Sequence, residues 1–330
     1  MNFASPIFLF AFLPLVLIAY HLLRPIRAKN VLLIAAGLVF YAFGDLRHLP
    51  LLLASCALHY GVGLALMRAR RGRRLLLAAC VTVDLAVLAA YKWHGALPLG
   101  ISFFTLQAVS YLVDVYREKV KADDCLPRLA LWLAFFPQIT EGPICRYSQT
   151  AEQLWSVGRI DFSNLTLGLE RLLYGMMKKI VVADRLNPLI KEVFDNYNMY
   201  DGGVIALAAV CYTIQLYMDF SGAMDAVTGI AQMLGVTMPE NFRRPFFSKT
   251  ISEFWKRWHI TLGEWLKDYL FYPVTMSKPM QHLTKAARGS AINTARCSQA
   301  ASRCSAYGSS TVFGTGLRGT TFSSASITSS

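Results

Sequence analysis

The stretch Glu253-Phe-Trp-Lys-Arg-Trp-His259 places a histidine at the end of a short run rich in tryptophan. Just before it, Thr250-Ile-Ser-Glu253 fits a capping box, which predicts a helix that begins here and continues until Pro273 stops it. Its aromatic residues share one side, and its charged residues lie largely on the other. Such a helix is too charged to cross a bilayer and too apolar to be free in water, so we expect it at the membrane interface or re-entering the membrane.

The chain around this stretch is apolar in long blocks. Of its 330 residues, 55% are hydrophobic and only 16% are charged, which is less charge than a soluble domain normally carries. Apolar blocks run roughly through 5–23, 31–44, 49–67 and 75–92, near the ~20 residues that cross a bilayer. We predict an all-α fold, a polytopic bundle of transmembrane helices, because a β-barrel would show short alternating segments instead.

The formal net charge of +13 is concentrated at the ends of the apolar blocks. Arg24, Arg27 and Lys29 follow the first block, and the basic run 68–74 follows the third. If basic loops stay in the cytoplasm, the N-terminus lies outside. No aromatic residues are interleaved with the basic run, so we expect no nucleic-acid binding.

Cysteine spacing gives no sign of a metal site. The seven cysteines form no CxxC pair and no metal-like grouping with histidine, and we expect those before the tail to be reduced or lipid-facing. The first apolar block lacks a charged leader and a small-residue cleavage site, so we expect a retained membrane helix.

Three groups of polar residues interrupt the apolar blocks. Gln107, Ser110 and Asp114 share a helix face that should turn inward, either for interhelical hydrogen bonding or to line a channel. In the run 135–147, two prolines and a glycine break the helix, and such backbone is tolerated at membrane depth only where it is buried or lines a cavity.

Each of these groups has an ordinary interpretation as well. Glu141 and Arg146 pair across the broken run, or the run is an interfacial loop with an exposed ion pair. Asp219, on one face with Gln215, is paired or lines a water path, or it marks a helix end at the interface. The stretch 150–164 is expected to be a loop. A lone histidine such as His259 is more often structural than catalytic.

Taken together, these motifs resemble the membrane-bound O-acyltransferase family, closest to its bacterial branch that acetylates alginate and transfers D-alanine to lipoteichoic acid. The match spans roughly residues 97–280 in the family's order, and the phrase Phe254-Trp-Lys-Arg-Trp-His-Ile-Thr-Leu262 is its most specific part. The matching stretches are Leu97–Arg117, Phe135–Tyr147, Gln215–Gly222, Pro239–Phe246 and Ile251–Pro273.

The resemblance implies a helical membrane fold, with re-entrant or interfacial helices around a tunnel. It implies transfer of an acetyl or D-alanyl group from a cytoplasmic thioester donor, such as carrier-protein phosphopantetheine, to hydroxyls of an extracellular polysaccharide or teichoic acid. No bound cofactor is implied. The implied partners are membrane lipids, an acyl carrier protein and cell-envelope polymer-modification proteins, and the implied location is the plasma or inner membrane, crossed several times.

By the same resemblance, His259 occupies the family's first histidine motif as a supporting catalytic residue. The remaining candidate tunnel or substrate residues are Glu141, Arg146, Asp219, Asn241, Arg244 and Trp258.

The family's principal histidine, in a later Trp-His-Gly motif, is absent from this sequence. Trp93-His94-Gly95 has the right letters but precedes the other motifs, so we expect His94 to be a loop or interface residue. We therefore divide the chain into a family-like membrane domain at 1–280, incomplete at its C-terminal helices, and a polar tail at 281–330.

The tail itself suggests why the motif is missing. When the bases from Tyr307 onward are regrouped by one position, the allowed codons include an apolar run with Trp-His-Gly, whose histidine codon straddles Gly314 and Thr315. We infer a one-base frameshift between about Thr284 and Ala306, and we expect impaired transferase activity. The alternative is a natural, disordered Ser/Thr/Gly tail.

Two other functions are alternatives, and the Trp258-His259 phrase together with the run from Phe135 favours acyl transfer over both. A polytopic transporter or flippase would use the intramembrane polar residues to guide a solute, and a non-catalytic membrane scaffold would need none of them for chemistry.

Overall fold

The computed structural model describes residues 3–95, 97–156, 161–277 and 280–281, and they are helical throughout apart from connecting segments. Within these residues, the β-structure is an isolated antiparallel bridge between Phe242 and Trp258. The helices are α1 (Leu13–Leu22), α2 (Ile26–Asp45), α3 (Leu49–Arg68), α4 (Arg73–His94), α5 (Ile101–Tyr116), α6 (Leu126–Leu133), α7 (Tyr147–Ser156), α8 (Phe162–Met176), α9 (Asp184–Asp195), α10 (Gly202–Met233), α11 (Ile251–Arg257), α12 (Ile260–Leu266) and α13 (Tyr272–Thr275).

The four predicted apolar blocks correspond to helices α1 to α4. Among the described residues, three continuous helical stretches are long and apolar enough to cross a membrane, namely Ile26–Arg68, Arg73–His94 and Gly202–Met233. The first contains α2 and α3, which a three-residue 3-10 turn joins. Helix α4 exposes most of its apolar surface, as expected of a helix that faces lipid. The predicted all-α membrane architecture is therefore confirmed.

The chain divides into two compact units, Met1–Thr261 and Leu262–Ser330. The first contains the helices α1 to α11 and every side chain of the site and the cavity described below. In the described part of the second, Trp265 and Tyr269 pack with ring centroids 5.3 Å apart, and the Lys267 ammonium lies 5.5 Å from the Tyr272 ring centroid. The predicted boundary near residue 280 borders residues outside the described ranges, so it stays a prediction.

The polar face of α5 turns inward as the sequence indicates. Gln107, Ser110 and Asp114 are all at most 3% exposed. The Ser110 hydroxyl donates to the carbonyl oxygen of Gln107 at 2.6 Å. The amide of Gln107 has no hydrogen-bond partner within the described ranges. This face is thus buried against protein.

The broken run after α6 is also buried. Phe135, Phe136 and Cys145 are fully covered, and Gln138 donates its amide hydrogen to the carbonyl oxygen of Trp132 at 2.6 Å. An exposed interfacial loop is excluded for this part of the run. Backbone that interrupts a helix is therefore held inside protein here, where neighbouring groups can satisfy its polar atoms.

Helices α8 and α10 approach each other through four glycines. A Cβ atom added at Gly175 would lie 2.6 Å from the Gly222 carbonyl oxygen, and one added at Gly168 would lie 2.6 Å from that of Gly229. Gly168 and Gly175 are seven residues apart on α8, and Gly222 and Gly229 are seven residues apart on α10. The two close contacts are therefore two helical turns apart, and the helices run antiparallel. Small residues allow backbones to come this close in membrane proteins. The cavity described below is lined by residues of these same two helices.

One sequence expectation was wrong here, and a pair of alternatives is decided. Residues 150–156, part of the stretch 150–164 that was expected to be a loop, belong to α7, whose Thr150, Ala151 and Leu154 are buried. The Trp132 indole donates to the Thr150 hydroxyl at 3.1 Å. Polar residues between the buried positions hid this helical spacing.

The alternatives left open for Asp219 are decided: it is paired, and it does not mark a helix end. Helix α10 continues through it to Met233, and its carboxylate accepts from the Lys179 ammonium at 2.6 Å. The ion pair allows a charged residue in mid-helix.

Candidate active site

His259 occupies a sharp turn between two short helices. Helix α11 begins as predicted, with the Thr250 hydroxyl accepting from the Glu253 amide at 3.1 Å. It then ends at Arg257, Trp258 pairs with Phe242, and His259 adopts a left-handed backbone with φ of +45°. The predicted continuous helix up to Pro273 is therefore wrong, because the pairing with Phe242 interrupts it.

Asn241 determines the orientation of the His259 ring. The Asn241 Oδ1 atom lies 3.1 Å from the Thr261 backbone nitrogen and 3.0 Å from the His259 Nδ1. A backbone N–H can only donate, so the atom facing it must be the amide oxygen. That oxygen can only accept, and His259 Nδ1 must therefore hold the proton. The neutral ring then presents the lone pair of Nε2, which has no hydrogen-bond partner among the residues described.

A chain of hydrogen bonds joins this turn to the buried run after α6. The Ile144 backbone N–H donates to the Thr261 hydroxyl at 3.1 Å, and that hydroxyl donates onward to Asn241 Oδ1 at 3.0 Å. Ile144, Asn241 and Thr261 are all at most 5% exposed. The run 135–147, the stretch Pro239–Phe246 and the stretch Ile251–Pro273 therefore meet at the Asn241 side-chain amide.

Aromatic rings hold the turn from the other side. The Phe220 ring meets His259 edge to face at a centroid distance of 4.8 Å, and Phe242 meets Trp258 in the same way at 5.1 Å. Trp258 also stacks on Phe254 at 5.5 Å. Such contacts restrict ring rotation, so His259 keeps the orientation that Asn241 sets.

Burial lowers the pKa of His259 from its ordinary value of 6.5 to about 4. Since one pH unit corresponds to about 1.4 kcal/mol, protonating the ring at pH 7 costs about 4 kcal/mol. A fully formed imidazolium is therefore disfavoured. The neutral ring can accept a hydrogen bond at Nε2, for instance from a hydroxyl group, but it is a poor group for holding a full proton.

The other predicted site residues are distributed unevenly. Trp258 and Asn241 belong to the His259 turn, and Arg244 lines a cavity beside it. Asp219 is engaged by Lys179 in mid-helix. Glu141 and Arg146 flank the buried run and are partly covered. The roles of Asp219, Glu141 and Arg146 stay predictions.

The cavity beside Asn241 has a volume of about 400 Å³ and lies mainly between α8, α10 and the segment before α11. Several of its charged residues were missed by the sequence analysis. Arg171 and Lys178 are seven residues apart, which places them on one side of α8 and of the π-helical segment Met177–Ala183 that continues it. This spacing is the sequence feature that could have identified them. The missed residues that line it are Arg171, Lys178, Ser221, Asp225, Glu240 and Arg243.

Another polar group, unrelated to this cavity, joins α3 to α4. The His59 Nδ1 lies 2.7 Å from the Ser55 carbonyl oxygen, and its Nε2 lies 3.0 Å from the Asp84 Oδ2. Because Nδ1 must donate to a carbonyl, the contact at Nε2 requires a further proton shared with Asp84. The Cys80 sulfur, His59 nitrogen and Asp84 oxygen lie within 4.8 Å of one another. A shared proton accounts for the contact, and the absence of a metal site stays a prediction.

His94 lies at the exposed C-terminal end of α4, and the adjacent Trp93 is 89% exposed. This placement agrees with a role outside the active site. The region predicted to be out of frame, including Gly314 and Thr315, lies outside the described residues.

Comparison with known proteins places these motifs in a family. The model of the membrane-bound O-acyltransferase family matches residues 97–288, which is more than half of the chain. A probable alginate O-acetylase of Azotobacter vinelandii is 36% identical, over 82% of this chain and 59% of that protein. The peptidoglycan O-acetyltransferase of Helicobacter pylori is 32% identical, over 82% of this chain and 61% of its own length.

A more distant relative is the teichoic acid D-alanyltransferase of Bacillus subtilis, 30% identical over 52% of this chain and 44% of that protein. This chain belongs to the membrane-bound O-acyltransferase family. It spans about three fifths of the length of the alginate and peptidoglycan relatives.

Proposed function

We propose that this chain supplies the membrane-embedded acyl-transfer site of an O-acyltransferase that acts on a cell-envelope polymer. The acyl group is acetyl or D-alanyl, and the acceptor is a hydroxyl of an extracellular polysaccharide or teichoic acid. The observation that supports this most is the His259–Asn241 pair, in which the proton on Nδ1 leaves Nε2 as a hydrogen-bond acceptor at a built, partly buried turn.

In the proposed reaction, the hydroxyl oxygen attacks the carbonyl carbon of a thioester. A C–O bond forms, the C–S bond breaks, and the leaving thiolate receives the proton that the hydroxyl loses. Because the pKa of His259 is low, this ring orients the hydroxyl through Nε2, and the net proton transfer needs a stronger base. The Trp-His-Gly histidine that the out-of-frame reading restores would supply that base.

The donor is a thioester of the phosphopantetheine type, presented from the cytoplasm by an acyl carrier protein or as a free thiol ester. The protein crosses the plasma or inner membrane several times, and a tunnel between its helices brings donor and acceptor together. The polymer-modification proteins of the envelope are its expected partners. The names of the alginate, peptidoglycan and teichoic acid relatives support an envelope polymer as the acceptor.

The test compares the given chain with a frame-restored version in membranes. Labelled acetyl and D-alanyl thioesters are supplied with candidate polymers, and ester formation is measured. We expect turnover by the restored version and little or none by the given chain. Equal turnover by the two would contradict the role of the missing histidine, and a restored protein that forms no ester with any donor would refute the proposed function.

A further inference from the structure

The cavity beside Asn241 has an excess of positive charge. Arg171 and Lys178 are balanced by Asp225 and Glu240, through contacts of 2.6 to 3.1 Å. Arg257 is balanced by Glu253 at 2.5 Å. These ion pairs account for three of the five cations that line the cavity.

The remaining two cations are Arg243 and Arg244, and neither has an acidic partner among the described residues. Their positions follow from the backbone and not from side-chain pairing. The Arg243 N–H donates to the Arg257 carbonyl oxygen at 3.0 Å, beside the Phe242–Trp258 bridge. Arg244 has a left-handed backbone with φ of +48° and precedes a 3-10 turn. Both side chains are exposed, and because neither is neutralised they contribute a charge of +2 to the lining of the cavity.

Ser221 provides a further polar group in the same cavity. It is 2% exposed, lies in α10 next to Gly222, and its hydroxyl has no hydrogen-bond partner within the described parts of the chain. Burying a hydroxyl without a partner is unfavourable, because its hydrogen bonds to water are not replaced. Thr228, also buried and also lining the cavity, avoids this loss by donating to the Met224 carbonyl oxygen at 2.8 Å. The comparison indicates that the Ser221 hydroxyl is available for a ligand.

These features together fit a phosphoryl oxyanion. Guanidinium groups bind phosphate in a fork geometry, with charge-assisted hydrogen bonds that are roughly twice as strong as neutral ones. The charge of +2 is sufficient for the single negative charge of a phosphodiester, as in a carrier-bound phosphopantetheine, and for the nearly two charges of a free phosphate monoester near neutral pH. The volume of about 400 Å³ also leaves room for the atoms attached to it.

We propose that Arg243, Arg244 and Ser221 form a binding site for a phosphoryl group of the thioester donor. This inference rests on the proposed function, because the donor is the substrate that combines a phosphate with a thioester. The cavity shares Asn241 with the His259 turn, so a phosphoryl group bound here anchors the donor at the same segment that orients the acceptor hydroxyl. A carboxylate of the acceptor polymer shares the oxyanion chemistry, and the experiment separates the two sources.

The experiment measures binding to the full chain in detergent, without turnover. The probes are 4′-phosphopantetheine, pantetheine, inorganic phosphate and a short uronic acid oligomer. We expect 4′-phosphopantetheine to bind at least about tenfold more tightly than pantetheine, since the phosphoryl group adds charge-assisted hydrogen bonds. Arg243→Gln with Arg244→Gln should remove this difference, and Ser221→Ala should reduce it. Arg185→Gln, an exposed arginine outside the cavity, is the matched control and should preserve it.

Equal binding of the two pantetheine probes to the unmodified chain would overturn the proposal. So would an unchanged preference in the double arginine variant, or arginine-dependent binding of the uronic acid oligomer in place of 4′-phosphopantetheine. If the double variant does not fold, protection of Arg243 and Arg244 from phenylglyoxal by 4′-phosphopantetheine, mapped by mass spectrometry, tests the unmodified chain directly. If the full chain prefers 4′-phosphopantetheine but the frame-restored protein transfers no acyl group, the proposed function is refuted and the binding-site proposal is not.

Discussion

The Asn241 side-chain oxygen accepts hydrogen bonds from His259 Nδ1 at 3.0 Å and from the Thr261 backbone at 3.1 Å. Because the backbone contact determines which end of the amide faces the ring, the amide also selects the histidine tautomer. This relationship connects a local turn to the chemistry that the ring can perform, and it leads to measurable consequences.

Replacement of His259 by asparagine should separate the backbone role of this residue from its ring chemistry. Asparagine tolerates the left-handed backbone and can still donate to Asn241, so we expect the fold to persist. In the frame-restored protein, we expect acyl transfer to fall roughly tenfold or more, since the oriented Nε2 is lost. His259→Val is the contrasting variant, because a β-branched residue is strained at φ of +45° and should lower the melting temperature. Unchanged turnover in His259→Asn would remove His259 from the site.

Stability should decrease in mild acid because of His259. Its pKa in the folded chain, about 4, lies below the unfolded value near 6.5, so the unfolded state binds more protons between these pH values. The free energy of unfolding should therefore fall as the pH is lowered from 6.5 to 4, by up to about 3 kcal/mol from this residue. Denaturation of the detergent-solubilised chain and of His259→Asn across this range measures the difference. Parallel curves for the two proteins would contradict it.

The contact between α8 and α10 should not tolerate even a methyl group. Gly175→Ala would place its Cβ 2.6 Å from the Gly222 carbonyl oxygen and 2.7 Å from the Ala226 nitrogen, so we expect a loss of about 1–3 kcal/mol. Gly61→Ala is the control, because no atom lies within 4 Å of its added Cβ, and alanine should be neutral or stabilising there. Melting temperatures in detergent compare the two, and similar values would show that the helices can separate without loss.

The His59–Asp84 contact should show strong dependence of each residue on the other. Asp84→Leu leaves a fully buried imidazole without its partner, and His59→Leu leaves a largely buried carboxylate, so each should destabilise the chain by about 3–5 kcal/mol. The double leucine variant should be more stable than either single variant, because it removes both polar groups together. A double-mutant cycle from unfolding measurements determines the coupling, and additive effects would disprove it.

The missing Trp-His-Gly motif gives a prediction at the level of the gene. Sequencing the encoding DNA through the interval from about Thr284 to Ala306 should reveal a one-base insertion or deletion, with the motif's codons in the alternative frame downstream. An in-frame gene without these codons would leave the polar tail as the natural sequence.

The helices that face lipid were predictable because their signal is local. Each apolar block of α1 to α4 has the length and composition of a membrane helix, whichever neighbours it meets. The capping residue Thr250 was predictable for the same reason, since its partner Glu253 lies within one turn. Among the site residues, Asn241, Trp258 and His259 were found through motifs that resemble the family, although their mutual contacts were not.

What the amino-acid order alone established is therefore the class of molecule: an apolar helical chain with family motifs at 97–280 and a histidine at a polar interruption. Only the packing of distant segments decided the chemistry. The break at His259 results from pairing with Phe242, and the tautomer is set by Asn241. The net charge of the cavity depends on which of its cations meet acidic partners after folding. Composition and periodicity report on contacts within a few turns of one helix, whereas hydrogen bonds, ion pairs and close backbone approach depend on distances that folding alone creates.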